Sequence, residues 1–200
     1  LKVDFHIHTR EDPQDRISYS AFDLINIAQL KGLDALAITN HRNVTYSPYL
    51  RDYAKERGII ILPGVEATIE DRHIILINFS FEEESFSNLS DILRKKDRCN
   101  LVIAPHPFFP GPHSLDGKLE ANWMLFDGIE YCHFYSRYLN FNRKAVEFAI
   151  LGNIIDYGVK NKLNVDKELK KIMGNKNSRI DNKIFHYKEF KAQLKRAKEI

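Results

Sequence analysis

Histidines and acidic residues stand at the ends of the apolar, β-branched runs of this chain. His6 and His8 are two apart at the close of Leu1 to His8, so both imidazoles project from one face of an extended strand. His41 closes Ala35-Leu36-Ala37-Ile38-Thr39-Asn40-His41. Glu66 follows Ile59-Ile60-Ile61-Leu62-Pro63-Gly64-Val65, His73 opens the run to Phe79, and His106 sits in Val102-Ile103-Ala104-Pro105-His106-Pro107. One histidine at a strand end is ordinarily a hydrogen-bonded surface or core residue. The repetition is what points to a site. Imidazole and carboxylate arriving from several strands at one mouth make an N/O donor set suited to zinc, iron or manganese.

Placing these groups together requires strands whose ends converge. Strands are expected at Leu1 to His8, Asp34 to Thr39, Ile59 to Leu62, His73 to Phe79, Leu101 to Ala104 and Gly128 to Tyr131. Helical patterns fall between them, at Ser20 to Leu30, Ser47 to Arg57, Ser85 to Lys96 and Tyr138 to Ala149, with Ser20, Ser47 and Ser85 as N-caps and Gly32 and Gly58 as stops. Alternating strand and helix predicts parallel strands with crossover helices, as a barrel or an open sheet. Unbroken apolar runs such as Ile59 to Leu62 and Ile74 to Ile77 predict strands buried on both faces. In such architecture the C-terminal strand ends share one mouth.

The 200 residues amount to one domain with an appendage, and 44% apolar content, with 13 Phe and 9 Tyr, excludes a disordered chain. No apolar run is long enough for a transmembrane helix. The chain opens on Leu1-Lys2-Val3-Asp4, strand-like rather than signal-like, and lacks an initiator Met, which leaves room for residues upstream. Cys99 and Cys132, far apart and without ligand spacing, read as reduced thiols of a cytoplasmic protein. The net charge of +3 is uneven: residues 158–200 hold 13 Lys/Arg against 5 Asp/Glu. That basic piece reads as an exposed loop at 174–182 and an amphipathic helix from His186 to Ile200 packing on the body. It is a solvated surface or a polyanion contact, so nucleic acid is a possible partner. A membrane partner is not expected, and oligomeric state is not legible.

Four segments occur in order: Asp4-Phe5-His6-Ile7-His8-Thr9, Ile38-Thr39-Asn40-His41, Gly64-Val65-Glu66 and Ala104-Pro105-His106-Pro107. Together they resemble the PHP (polymerase and histidinol phosphatase) family of metal-dependent phosphoesterases, over about residues 1 to 150. The resemblance implies a distorted TIM-like (β/α)7 barrel over residues 1–157, carrying two or three divalent metals (zinc, iron or manganese). It implies His6, His8, Asp15, His41, Glu66, His73 and His106 as metal ligands. Glu66 would be the bridging carboxylate, and Glu66, His41 and His106 would stand at the reacting centre. His133 falls where some members place a ligand or a substrate contact; His113 and His186 match nothing. The family's closing Gly-x-Asp-x-His is missing, and Asp156, in Ile150-Leu151-Gly152-Asn153-Ile154-Ile155-Asp156-Tyr157, is a poor substitute.

The implied activity is hydrolysis of a phosphomonoester or phosphodiester by a metal-bridging hydroxide, with no Ser or Cys nucleophile. Arg10, Arg42 and Arg137 lie beside the ligand motifs as forks for substrate phosphate or as surface salt-bridge partners. Phe108, Phe109 and Tyr135 could stack a base or simply pack a barrel rim. A small nucleotide or a nucleic-acid end is the expected substrate. Two alternatives stand beside this reading: a catalytically impaired barrel acting as a binding module, and a metal-dependent C–N bond hydrolase.

Overall fold

A computed structural model describes residues 1–80, 86–132, 135 and 138–149. The chain divides into two compact units, Leu1–Val146 and Glu147–Ile200, and all six described strands belong to the first. The basic stretch 158–200, with its expected loop and helix, lies outside the described residues, as do His133, Arg137, Asp156 and His186.

The strands are β1 (Val3–Ile7), β2 (Ala35–Ile38), β3 (Ile60–Ile69), β4 (Arg72–Ile77), β5 (Leu101–Ala104) and β6 (Gly128–Ile129). They form one mixed sheet in sequence order. Helices α1 (Ala21–Leu30) and α2 (Pro48–Lys55) cross between the first three strands, which are parallel. Ser20 caps α1 in a reciprocal box with Asp23, and Ser47 caps α2. Helix α3 (Leu89–Lys95) starts later than the expected Ser85, because Asn88 caps it in a second box with Asp91. Two short pieces escaped the sequence reading: α4 (Gly117–Ala121) and a 3-10 turn at Trp123–Leu125. A last helix, α5, covers 142–149.

The expectation of uniformly parallel strands fails at β4, which runs antiparallel to both β3 and β5. The cause is a tight turn: Glu70 and Asp71 both adopt left-handed backbone, φ 50° and 61°, and fold β3 directly onto β4. Such primed turns match strand twist but usually pair Asn or Asp with Gly, so Glu-Asp, with no Gly, was a weak sign of one. Strand β3 also runs through the Pro63-Gly64 pair where a stop was expected. There the backbones of β2 and β3 close up: a Cβ on Gly64 would lie 3.0 Å from Thr39 Cγ2 and 3.1 Å from the Ile38 carbonyl.

The apolar runs sort the two faces. Leu36, Ile38, Ile59 and Ile61 pack under Leu24, Ile25 and Ala28 of α1 and Leu50 and Ala54 of α2. Ala37, Ile75 and Ile77, with Phe5, Leu62 and Ile103, fill the opposite face. Ile74 to Ile77 is buried throughout as expected, whereas Ile60 is 59% exposed. In β1, one extra residue stands between the pairs Asp4–Leu36 and Ile7–Ile38, a bulge at the level of His6. It lets Phe5 pack on one face and Ile7 on the other although the two are only two positions apart.

The sheet is strongly curled, a half-barrel. Laid flat, strands β1 and β6 would stand roughly 24 Å apart, at about 4.8 Å per step. Instead His6 Nδ1 of β1 is 3.2 Å from Oε1 of Glu130, the residue after β6.

Candidate metal centre

The mouth of the half-barrel gathers side chains from both strand senses. His6, His41, His106 and Glu130 sit at the C-terminal ends of β1, β2, β5 and β6 or just beyond them. His73 reaches the same mouth from the start of β4 because that strand is reversed. Glu66 lies within β3 past the end of β2, and His41 rejoins it there through a parallel bridge.

Glu66, 1% exposed, is the hub. Its Oε2 faces Nε2 of His6 at 3.1 Å, of His8 at 3.1 Å and of His41 at 3.4 Å. Its Oε1 faces His73 Nδ1 at 2.8 Å and His106 Nε2 at 3.1 Å. A carboxylate offers about four acceptor sites, so five imidazoles oversubscribe it. Although burial opposes ionisation, hydrogen bonds from His106, His6, His73 and His8 hold the Glu66 carboxyl far below the usual carboxylate range. Burial favours neutral His6, yet Glu130 and Glu66 overcome it and push its pKa up to about 10. His8 is likewise raised by Glu66 and Asp12 against the effect of burial.

The donor chemistry fits divalent cations. Histidine nitrogens and a buried carboxylate stand within ligand-sharing distance in two sets, His6–His8–Glu66 and His41–Glu66–His73, with a third made by His8, Asp12, Asp15 and His41. Cations placed between these nitrogens and Glu66 would replace the protons that the cluster otherwise needs.

Six of the seven expected ligands therefore converge: His6, His8, His41, Glu66, His73 and His106. Asp15 stands at the rim, its side chain 51% exposed and 3.9 Å from His8 Nδ1. Two carboxylates at the site were not foreseen. Asp12, with a fully buried side chain, meets His8 Nδ1 at 2.7 Å and His41 Nδ1 at 3.1 Å. Glu130 accepts from the His106 backbone N–H at 2.6 Å besides meeting His6. Glu130 follows the rule that strand ends carry the site and was legible on that ground. Asp12 lies in a loop, and only its tertiary contacts reveal it.

His113, which matches no ligand position, stacks its ring on His73 at 4.5 Å, inclined by 7°. A cleft of about 740 Å³ opens over the histidines, with Phe109, Pro112, His113 and Ser114 along one wall. Arg10 and Arg42 are exposed and do not line this cleft; Arg10 instead lies near Asp23. Phe108 sits beneath the Lys144 ammonium, and Tyr135 packs edge-on against Tyr131.

The chain matches no protein-family model. It is 25% identical over 146 residues to an uncharacterized protein of Methanocaldococcus jannaschii, covering 68% of this chain and 84% of that one. It is 34% identical over 93 residues to the PolC-type DNA polymerase III of Thermotoga petrophila, covering 46% of this chain but 7% of the polymerase. The equivalent polymerase of Streptococcus thermophilus is 38% identical over 78 residues, 5% of its length. The chain thus spans only a small part of these polymerases. Among solved structures, a candidate metal-dependent phosphoesterase of Bifidobacterium adolescentis gives a TM-score of 0.49 at 16% identity, over 65% of this chain and 77% of that one. An amidohydrolase of Chromobacterium violaceum, solved with sulfate and no metal, gives 0.34 at 25% identity, over 38% of this chain and 28% of that one. Among the described residues, no helix is long and apolar enough to cross a membrane.

Proposed function

We propose that the chain is a PHP-type, metal-dependent phosphoesterase. The observation that carries this reading is the division of five imidazoles between the two oxygens of one buried carboxylate, three on Oε2 and two on Oε1. Such a carboxylate can hold two like-charged ions side by side. His6, His8 and His41 would serve the Oε2 side, and His73 and His106 the Oε1 side, with Asp15 at the rim. When bound, divalent ions supply an activated water and neutralise charge on the phosphoryl oxygens.

The chain's own residues account for the rest. Glu66 sets the spacing of the two subsites, and the imidazoles around it form the floor of the open cleft. Arg10 and Arg42, exposed beside the ligand motifs, would meet a substrate phosphate only at the rim, so most of the phosphoryl charge falls to the metal subsites in this reading. Phe109, on the cleft wall, offers a face for a nucleobase. A small nucleotide or a nucleic-acid end is the substrate class in this reading, consistent with the partial likeness to DNA polymerases. The reading also includes a distorted (β/α)7 barrel and a cytoplasmic protein.

The test is hydrolysis of p-nitrophenyl phosphate and bis-p-nitrophenyl phosphate by protein reconstituted with manganese, zinc or iron. A cyclic amide assayed in parallel and a His41→Ala control complete it. Metal-dependent phosphate release, lost in the control, supports the reading. Turnover of the amide alone would replace it with C–N hydrolysis. Folded protein that binds metal and turns over neither substrate would make it a binding module.

A further inference from the structure

Three imidazoles at the hub share a pattern. His6, His8 and His41 each present Nε2 to Glu66 Oε2, and each turns Nδ1 to a different carboxylate: Glu130 for His6, Asp12 for His8 and His41. An ionised carboxylate only accepts, so each of these Nδ1 atoms must carry the proton. The three Nε2 atoms converge instead on one oxygen of Glu66, where a cation would displace their protons.

Asp12 looks at first like a ligand, since it belongs to a cluster with His8, Asp15 and His41. Its hydrogen bonds argue otherwise. Oδ1 accepts from the backbone N–H of Gln14 at 2.7 Å and of Asp15 at 2.9 Å. Oδ2 accepts from the His41 backbone N–H at 2.8 Å and from His8 Nδ1 at 2.7 Å. His41 Nδ1 lies 3.1 Å from Oδ2 and 3.3 Å from Oδ1. Three amides and two imidazoles fill the acceptor capacity of a side chain that is itself fully buried. Nothing remains for a cation. Asp15, half exposed and on the same loop, has its carboxylate open to one.

We infer that Asp12 is a positioning residue rather than a ligand: it fixes His8 and His41 in the Nδ1–H tautomer that offers Nε2 to a metal, as Glu130 does for His6. This rests on the metal-centre reading above and assigns it an outer set of carboxylates. Partners of this kind orient ligating imidazoles, and their loss typically weakens metal binding roughly 10- to 100-fold.

The experiment uses the full chain and zinc as the probe, comparing wild type with Asp12→Asn, Glu130→Gln and Asp15→Asn. Zinc stoichiometry and affinity come from titration against a competing chelator. The tautomers come from long-range 1H–15N correlation of the imidazoles in the zinc-loaded protein. In wild type, His6, His8 and His41 should show ligated Nε2 and protonated Nδ1. Asp12→Asn places an NH2 against an imidazole N–H, so the His8 and His41 signals should change together. Zinc number should hold while affinity falls roughly 10- to 100-fold.

Glu130→Gln should disturb His6 alone, which keeps the inference testable if Asp12→Asn fails to fold. Asp15→Asn should leave the three Nδ1–H signals in place. Loss of a zinc ion in Asp12→Asn with the His8 and His41 tautomers unchanged would make Asp12 a ligand and overturn the inference. So would Nδ1 ligation in wild type. Wild type that binds no zinc would instead sink the metal-centre reading itself.

Discussion

His6 on the first strand of the described sheet and Glu130, just past the last, meet at 3.2 Å across the mouth of the half-barrel. The same Glu130 carboxylate holds the backbone N–H of His106, a residue with left-handed backbone at φ 29°. One acidic side chain thus ties the ends of β1, β5 and β6 into a single rim. A non-glycine residue in that region stores strain of about 1–3 kcal/mol, maintained by its surroundings. Glu130 and Ser114, whose Oγ lies 3.1 Å from the His106 carbonyl oxygen and 2.5 Å from that of Phe109, are those surroundings.

Removing the charge of Glu66 should separate metal binding from folding. Glu66→Gln retains the shape but not the acceptor pair that serves both sets of histidines. Bound metal should drop and phosphate-ester turnover should fall roughly 100-fold or more, a bound taken from the cost of losing even an outer partner. Metal analysis of folded protein, checked by circular dichroism, measures this.

The metal-free protein should lose stability on the alkaline side. His6 titrates at about 10 in the fold against an ordinary 6.5. A raised pKa contributes stability that is complete below 6.5 and is lost as pH rises through about 10. Melting temperature measured in chelator from pH 6 to pH 10.5 should therefore decline across that window. The zinc-loaded protein, with no Nε2 proton to lose there, should decline less.

Zinc affinity should have the opposite slope. His6 and His8 hold their protons more tightly than free histidine, and a metal must displace them. Apparent affinity should climb as pH rises from 6 to 9, with protons released on binding. Calorimetric titration in two buffers of different ionisation enthalpy counts them; a pH-independent affinity would contradict the geometry.

Gly64→Ala should destabilise the sheet without touching a site residue. The added methyl meets Thr39 Cγ2, Ala37 Cβ and the Ile38 carbonyl at 3.0–3.1 Å, on β2 and the residue that follows it. Overpacking of this kind costs about 1–3 kcal/mol, readable as a lower urea midpoint.

Strand and helix order was legible because β-branched runs and Ser-capped amphipathic stretches alternate locally. The histidine set was legible because strand ends carry it. The reversal of β4 was not, since it depends on two left-handed residues, Glu70 and Asp71, and only Asp71 is a common turn residue, without the Gly that usually accompanies it. Asp12 stayed hidden for a different reason. Its role is fixed by His41, 29 positions away in the sequence, and by loop amides that fold around it. Arg10 and Arg42, exposed beside the ligand motifs, are not among the residues lining the cleft, which agrees with the salt-bridge alternative for them.

The hub at Glu66 has a consequence for how the molecule reaches its folded state. Its partners His6 and His106 are 60 and 40 residues away along the chain, one on each side. None of these contacts can form until the strands have ordered, and contacts of high sequence separation form slowly because loop closure comes first. Zinc uptake in a refolding experiment should therefore appear with the slowest phase, after helix signal has returned. The metal centre would then report completed topology.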